Sequence, residues 1–83
     1  MLFRSLAYLD VLREVRDAVD VPVAAYAVSG EYAMIEAAAK EGWIDRDAVL
    51  LETLLSMRRA GAGIVLTYHA VDAARLLRSA RGA

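Results

Sequence analysis

Two hydroxyl-bearing residues stand where two buried strands are predicted to end. Ser29 follows the apolar run at residues 21–28, and Tyr68 closes the run at residues 64–68. Ligand sites of α/β proteins lie at the carboxyl ends of parallel strands. A hydroxyl beside the free N–H groups of a helix start suits a carboxylate or phosphate oxygen. The pair therefore predicts an anion site, although an N-cap (Ser29) and an amphipathic surface residue (Tyr68) are the ordinary alternatives.

The other reactive side chains are predicted to have structural roles. His69, the single histidine, lacks a visible Asp or Cys companion and is expected at the surface or as a cap. Glu31 suits the dipole of a helix start, and Tyr26 is expected to fill a core or barrel lumen. Lys40, the single lysine, lies at a predicted helix end, whereas a Schiff-base lysine needs a desolvated pocket at a strand end. The sequence has no P-loop, GxSxG or HExxH motif and no metal-ligand cluster.

The elements that must position these residues follow the order α-β-α-α-β-α. Helices are predicted at residues 6–19, 31–40, 46–60 and 71–79, and strands at residues 23–28 and 64–68. The first strand does not alternate apolar with polar residues, which is typical of parallel strands covered on both faces. Two parallel strands leave two open edges. The pattern therefore predicts an α/β segment of a barrel or of a larger doubly wound sheet.

Capping residues mark the predicted helix boundaries. Ser5 and Asp45 are expected N-caps, and Gly42 and Gly61 are expected to end the second and third helices. The tail at residues 81–83 is expected to fray. The third helix has a predicted buried stripe of large apolar residues: Leu50, Leu51, Leu54, Leu55 and Met57.

The composition argues against several classes of partner. The net charge is −1, from 10 basic and 11 acidic residues, so the chain has no positive electrostatic field that would attract nucleic acid or an anionic membrane. The helical face formed by Arg75, Arg78 and Arg81 is expected to be solvated. No apolar run approaches the roughly 20 residues that span a bilayer, and no signal peptide is expected. The absence of Cys suits a cytoplasmic location. An apolar content of 59% predicts an Ala-rich bundle or apolar surface meant for a partner or a missing part of the chain.

Five motifs occur in a distinctive order: AYLD at residues 7–10, VSGEYAM at 28–34, LET at 51–53, RRAGA at 58–62 and LTYHA at 66–70. In this combination the chain resembles the C-terminal part of porphobilinogen synthase (5-aminolevulinate dehydratase), over nearly its whole length. The resemblance implies that residues 1–83 form one partial (β/α)8 TIM-barrel segment with two parallel strands. It also implies the family reaction, in which a cytoplasmic, oligomeric lyase of tetrapyrrole and heme biosynthesis condenses two 5-aminolevulinate molecules to porphobilinogen.

The resemblance assigns a role to the two residues at the strand ends. In the family, the Ser of VSGEY and the Tyr of LTY hold the carboxylate of one substrate molecule, and these positions are Ser29 and Tyr68 here. The Schiff-base lysine of the family, counted back from Tyr8, falls at Phe3, and the following proline falls at Arg4. The family's metal-binding segments, which often use Zn or Mg, lie upstream, so no cofactor is expected in this chain.

Three hypotheses follow from these observations. The first is a porphobilinogen synthase-like fragment that is inactive alone, because no imine forms without an amine. The second is a non-catalytic interaction module or barrel-completing subunit, which self-associates or binds a complementary barrel chain through its open strand edges and Ala-rich faces. The third is a small carboxylate-binding protein that uses Ser29 and Tyr68.

Overall fold

A computed structural model describes residues 2–4 and 6–80 of the chain. The elements are strand β1 (Leu2–Arg4), a 3-10 turn (Leu6–Tyr8), helix α1 (Leu9–Ala18), strand β2 (Ala24–Ala27), helix α2 (Ser29–Lys40), helix α3 (Arg46–Ala60), strand β3 (Ile64–Thr67) and helix α4 (Ala70–Ala80). The predicted order of four helices and two strands is confirmed, since the predicted strands correspond to β2 and β3. Strand β1 is a third strand that the sequence pattern does not predict, because three residues are too few to show a period.

The three strands form one parallel sheet in the order β1-β2-β3. Ala25 pairs with Phe3 on one side and with Val65 on the other, and Ala27 pairs with Thr67. The two predicted strands are therefore parallel, as expected, and end at the same level. Their carboxyl ends form one rim of the sheet, where the residues that follow β2 and β3 come near each other.

The helices cover one face of the sheet. The covered face presents small or partly buried residues, Ala25, Ala27, Val65 and Thr67. The open face presents larger side chains that are half-buried or exposed, Tyr26, Ile64, Leu66 and Tyr68. The expectation of strands covered on both faces is therefore wrong for the described residues, which supply helical cover to one face only.

The apolar core lies between the covered face and the helices. Its buried members are Leu12, Val23, Ala25, Ala27, Met57 and Ala62. The predicted stripe of α3 is confirmed at Leu50 and Met57, which are fully buried, and is wrong at Leu55, which is exposed. Burial of a large apolar side chain contributes about 1.5–3 kcal/mol, so these few residues carry much of the stability of a small domain.

The ends of α2 and α3 follow the predicted capping chemistry. The Asp45 carboxylate accepts a hydrogen bond of 3.2 Å from the Ala48 N–H at the start of α3. Gly42 (φ +76°) and Gly61 (φ +118°) adopt the left-handed backbone that closes each helix. A Cβ atom at Gly61 would also lie 2.5 Å from Cγ of Arg16, so sterics and backbone conformation both require glycine there.

The remaining predictions concern the two ends of the chain and the surface. Arg75 and Arg78 of α4 are exposed, as expected for a solvated face. Ser5 as a cap, Arg81 on that face and the frayed tail at residues 81–83 lie outside the described residues. Among the helices of the described ranges, none combines the length and apolar character needed to cross a bilayer.

Candidate functional site

Ser29 and Tyr68 lie on the same rim of the sheet. Ser29 is the first residue of α2, two positions after the end of β2, and it is exposed. Tyr68 directly follows Thr67, the last residue of β3, and 60% of its surface is exposed. The structure thus brings the two predicted hydroxyl-bearing residues to neighbouring strand ends, where both are accessible from solvent.

The first turn of α2 offers backbone N–H groups beside Ser29. Val28 takes the N-cap position, so the alternative role of Ser29 as N-cap is wrong. The Glu31 carboxylate accepts a hydrogen bond of 3.2 Å from the Val28 N–H, and it stands near the positive end of the helix dipole. A Cβ atom at Gly30 would meet nothing within 4 Å, which leaves open space at this turn. An incoming carboxylate would meet favourable N–H donors there, but it would also be repelled by the negative charge of Glu31.

Three tyrosines converge around the end of β3. The hydroxyl oxygens of Tyr26 and Tyr68 are 3.5 Å apart, which is longer than a strong O–H···O hydrogen bond. The ring centroids of Tyr32 and Tyr68 are 5.6 Å apart, with the planes inclined at 56°. Tyr26 belongs to the open face, whereas Tyr32 lies in the first turn of α2, three residues after Ser29. Tyr32 is not among the site residues predicted from the sequence, although its spacing from Ser29 places both on one side of a helix.

A shallow open hollow adjoins the tyrosine cluster on the rim. Its volume is about 310 Å³, and its lining residues are Tyr26, Val65, Leu66, Thr67, Tyr68 and Ala70. The lining combines aliphatic side chains with two phenol groups. Apolar walls with a few polar groups are typical of binding sites for small organic molecules.

A polar network lies next to Tyr68 on the other side of the backbone. His69 is 4% exposed, and its Nε2 atom is 3.0 Å from Oε1 of Glu36. The Arg46 guanidinium donates to both oxygens of Glu36 at 2.8–3.0 Å and to Oδ2 of Asp72 at 2.8 Å. The expectation of a surface His69 is therefore wrong, whereas the alternative of a capping His69 agrees with its place directly before α4, where its carbonyl accepts from the Ala73 N–H. Its partner Glu36 is 33 residues away in sequence, so the pairing depends on tertiary packing.

The network favours the charged forms of Glu36 and Arg46. Hydrogen bonds from Arg46, and then from His69, lower the pKa of Glu36 from 4.5 to about 2. Hydrogen bonds to Glu36 and Asp72 raise the pKa of Arg46 above its ordinary value. Glu36 is therefore an ionised carboxylate at neutral pH and can only accept hydrogen bonds. It follows that Nε2 of His69 carries the proton shared with Glu36.

The network does not fit a metal ion. The carboxylates of Glu36 and Asp72 both contact the Arg46 guanidinium, which already supplies the positive charge between them, and the His69 imidazole contacts Glu36. Within the described ranges, no group of three or more His, Asp or Glu residues could hold a metal. The described residues therefore offer no ligand set for the zinc or magnesium that the family resembled by this chain often uses.

The single lysine of the chain lies far from Ser29. Lys40 is the last residue of α2 and Ser29 is the first, so the 12-residue helix separates them. A rise of 1.5 Å per residue places their backbones roughly 16 Å apart. Phe3, at the position that the resemblance gives to the Schiff-base lysine, lies in β1 and pairs with Ala25 of the central strand.

The comparisons with known proteins agree with the resemblance. A family model described as delta-aminolevulinic acid dehydratase matches residues 1–76. The delta-aminolevulinic acid dehydratase of Streptomyces coelicolor is 62% identical over 71 residues, which cover 86% of this chain and 22% of the relative. The enzyme of the same name from Synechococcus elongatus is 56% identical over 77 residues, which cover 93% of this chain and 24% of the relative. The chain spans about a quarter of the length of these relatives.

A solved structure shows the same architecture. The delta-aminolevulinic acid dehydratase (porphobilinogen synthase) of Toxoplasma gondii ME49, crystallised in complex with the reaction product porphobilinogen, superposes with a TM-score of 0.85 at 51% identity. The match covers 87% of this chain and 20% of that chain. The family match over residues 1–76, the sequence identities and the shared fold lead to one conclusion: this chain belongs to the delta-aminolevulinic acid dehydratase family.

Proposed function

We propose that this chain is a partial (β/α)8 barrel segment, residues 1–83, that binds the carboxylate of a 5-aminolevulinate-like molecule through Ser29 and Tyr68. The observation that supports this function is the position of the two hydroxyls on one rim, at the ends of β2 and β3. The family reaction condenses two 5-aminolevulinate molecules in cytoplasmic tetrapyrrole biosynthesis. We propose that these 83 residues alone contribute carboxylate binding to that chemistry and no bond making.

The proposed binding uses hydrogen-bond donors that are already exposed. The Ser29 hydroxyl and the Tyr68 phenol each donate one hydrogen bond to a carboxylate oxygen, and such charge-assisted bonds are stronger than neutral ones. The N-terminal end of α2 adds the positive end of the helix dipole. The hollow beside Tyr26 and Tyr68 then accommodates the short aliphatic part of the molecule. These contacts hold a substrate but lower no chemical barrier by themselves.

The proposed inactivity rests on the missing amine. An imine with the substrate ketone needs a lysine in a desolvated pocket. Phe3 stands at the position that the resemblance gives to that lysine, and Lys40 lies at the far end of α2 from the rim. The chain alone therefore has no side-chain amine beside the proposed carboxylate site.

Calorimetric titration with levulinate tests the binding function. Levulinate keeps the carboxylate and the ketone of 5-aminolevulinate but lacks its amino group, so it reports binding without condensation. We expect the wild-type chain to bind, and Ser29→Ala and Tyr68→Phe each to weaken the affinity about 3- to 10-fold. Ser79→Ala on α4 and Tyr8→Phe before α1 are matched controls at exposed positions and should leave the affinity unchanged. Absence of any heat of binding with the wild-type chain would overturn the proposed function.

A second candidate function is that of a non-catalytic interaction module or barrel-completing subunit. The open face of the sheet supports it, because Ile64 and Leu66 are about half exposed on a strand where large apolar residues are usually buried. A complementary barrel chain or a second copy of this chain would cover that face and pair with the strand edges. This candidate is compatible with the first, since covering the open face would also enclose the rim.

Light scattering at increasing protein concentration tests this second candidate. We expect the wild-type chain to self-associate and Leu66→Lys to reduce the average mass, because a charge on the open face opposes its burial. Val21→Lys, at an exposed apolar residue outside the open face, is the matched control and should associate like the wild type. A folded wild-type chain that stays monomeric at every concentration would count against the interaction module.

A further inference from the structure

Two consecutive residues after β3 have opposite surroundings. Tyr68 is 60% exposed, whereas His69 is 4% exposed. The backbone of His69 is held on both sides: its N–H donates to Oγ1 of Thr67 at 3.1 Å, and its carbonyl accepts from the Ala73 N–H at 2.8 Å. Because one peptide bond joins the two residues, a contact that fixes His69 also fixes the backbone of Tyr68.

A ring contact provides a second connection between the two residues. The Tyr32 ring centroid lies 4.5 Å from that of His69, with the planes inclined at 40°, and 5.6 Å from that of Tyr68. Aromatic pairs prefer such offset or tilted arrangements at these separations. The Tyr32 ring therefore contacts both the buried imidazole and the exposed phenol, so a shift of the imidazole would displace the ring against which Tyr68 rests.

The imidazole itself is held by the polar network. Nε2 of His69 donates to Glu36 of α2 at 3.0 Å. Arg46 of α3 holds that carboxylate through both oxygens and also contacts Asp72 of α4. The network therefore fixes the position of His69 relative to three helices. The charged group that contacts His69 is Glu36, and both of its oxygens also accept hydrogen bonds from Arg46.

We infer that His69 is a positioning residue for Tyr68, which directs the phenol toward the rim through the shared backbone and the Tyr32 ring. The inference rests on the proposed role of Tyr68 in carboxylate binding. His69 does not touch the ligand in this arrangement. Its contribution is to restrict the Tyr68 ring to the orientation in which the hydroxyl lies beside the rim, which reduces the ordering cost of binding.

A pair of substitutions separates the two contacts of His69. His69→Phe keeps a ring against Tyr32 and removes the N–H that donates to Glu36. His69→Gln keeps an N–H donor and removes the ring. We expect both to weaken levulinate binding by about 3-fold or more, since either contact alone leaves Tyr68 less restricted. In a Tyr68→Phe background the same changes should have little further effect, because residues that act as one unit are not additive.

The NOE contacts between the Tyr32 and Tyr68 rings, measured in the ligand-free chain, provide a readout independent of binding. We expect them to weaken in His69→Gln and to persist in Arg13→Gln, which alters an exposed ion pair far from this cluster in the chain. Should His69→Phe fail to fold, Glu36→Gln replaces it as the variant that disturbs the hydrogen bond to His69. Additive losses of affinity, or unchanged ring contacts in His69→Gln, would overturn the inference. A wild-type chain that does not bind levulinate would instead refute the proposed function, while the ring contacts would still decide the positioning.

Discussion

The two faces of the sheet differ in what the chain supplies to cover them. On the covered face, Ala25 and Ala27 are buried in the core. His69, the polar residue that follows on this side, is buried and paired with Glu36 through Nε2. On the open face, Ile64 and Leu66 are about half exposed, and Tyr68, directly after the strand, is 60% exposed. The residues of β3 thus alternate between positions that stabilise the chain and positions that remain accessible to a ligand or partner.

Along β3, the residues of the covered face therefore contribute mainly to stability, and those of the open face are available for function. The polar groups on the covered side find their partners within the chain, and buried polar groups need such partners to be tolerated. On the open side, Ile64, Leu66 and Tyr68 are about half exposed or more, so they are accessible for contacts with other molecules. A substitution on the covered side should therefore act mainly on folding, whereas one on the open side should act mainly on binding or association.

The largest expected contrast comes from the same substitution made in the two regions. Leu12→Ala removes a fully buried core side chain and should lower the free energy of unfolding by about 2–5 kcal/mol. Leu66→Ala on the open face should cost less than about 1.5 kcal/mol, because about half of that side chain is already exposed. Urea unfolding of the two variants measures the difference. Equal losses would mean that the open face is buried in solution.

A smaller contrast is expected between two arginines that form ion pairs. Arg46→Leu removes the cation that four carboxylate oxygens of Glu36, Asp72 and Asp47 contact, and leaves Glu36 and Asp72 without this counter-charge. Arg13→Leu breaks an exposed pair with Asp17, of a kind that contributes little. We expect thermal unfolding to show a decrease in Tm several times larger for Arg46→Leu. Similar decreases for both variants would contradict the structural importance of the network.

The pH dependence of stability should report the ion pair of Glu36. Because its pKa falls from 4.5 to about 2 on folding, its contribution is fully present above pH 4.5 and is lost as the pH falls toward 2. The excess stability of the wild-type chain over Glu36→Gln should therefore shrink across that window. Thermal unfolding between pH 2 and 7 measures it, and a difference that stays constant with pH would show that Glu36 is not paired as described.

The smallest expected effect concerns the charge at the start of α2. Glu31→Gln keeps an oxygen that accepts from the Val28 N–H but removes the negative charge beside Ser29. We expect levulinate to bind about 2-fold more tightly to this variant, because a like charge near the ligand is removed. Glu52→Gln, on an exposed position of α3, is the matched control. Weaker binding by Glu31→Gln would indicate that the ligand does not approach this turn as a carboxylate.

Local chemistry made part of this structure predictable from the sequence. The caps at Asp45, Gly42 and Gly61 depend on residues within one helical turn, so their sequence signals suffice. The positions of Ser29 and Tyr68 at one rim follow from two strands joined by a helical crossover, because parallel strands end on the same side. Their role in binding stays a prediction that the titrations above address.

Other features depend on contacts that no local pattern encodes. The pairing of the buried His69 with Glu36 joins residues that are 33 positions apart in sequence, so it depends on how α2 lies relative to the end of β3. The contact of Tyr32 with both His69 and Tyr68 has the same origin. Strand β1 is too short for a periodic signal. The exposure of the open face could not be predicted from the apolar sequence of β3, because the same sequence is typical of a strand whose two faces are both covered by helices.

The most direct test of the account is borohydride trapping with 5-aminolevulinate, followed by peptide mapping. Borohydride reduces an imine to a stable adduct, so the method reports whether any lysine of the chain reacts with the substrate ketone. A full-length relative, such as the Synechococcus elongatus enzyme, is treated in parallel to show that trapping works. We expect levulinate to bind to the wild-type chain and no adduct to form at Lys40. A stoichiometric adduct at Lys40 that levulinate prevents would contradict the claim that this chain holds the substrate without an amine to transform it.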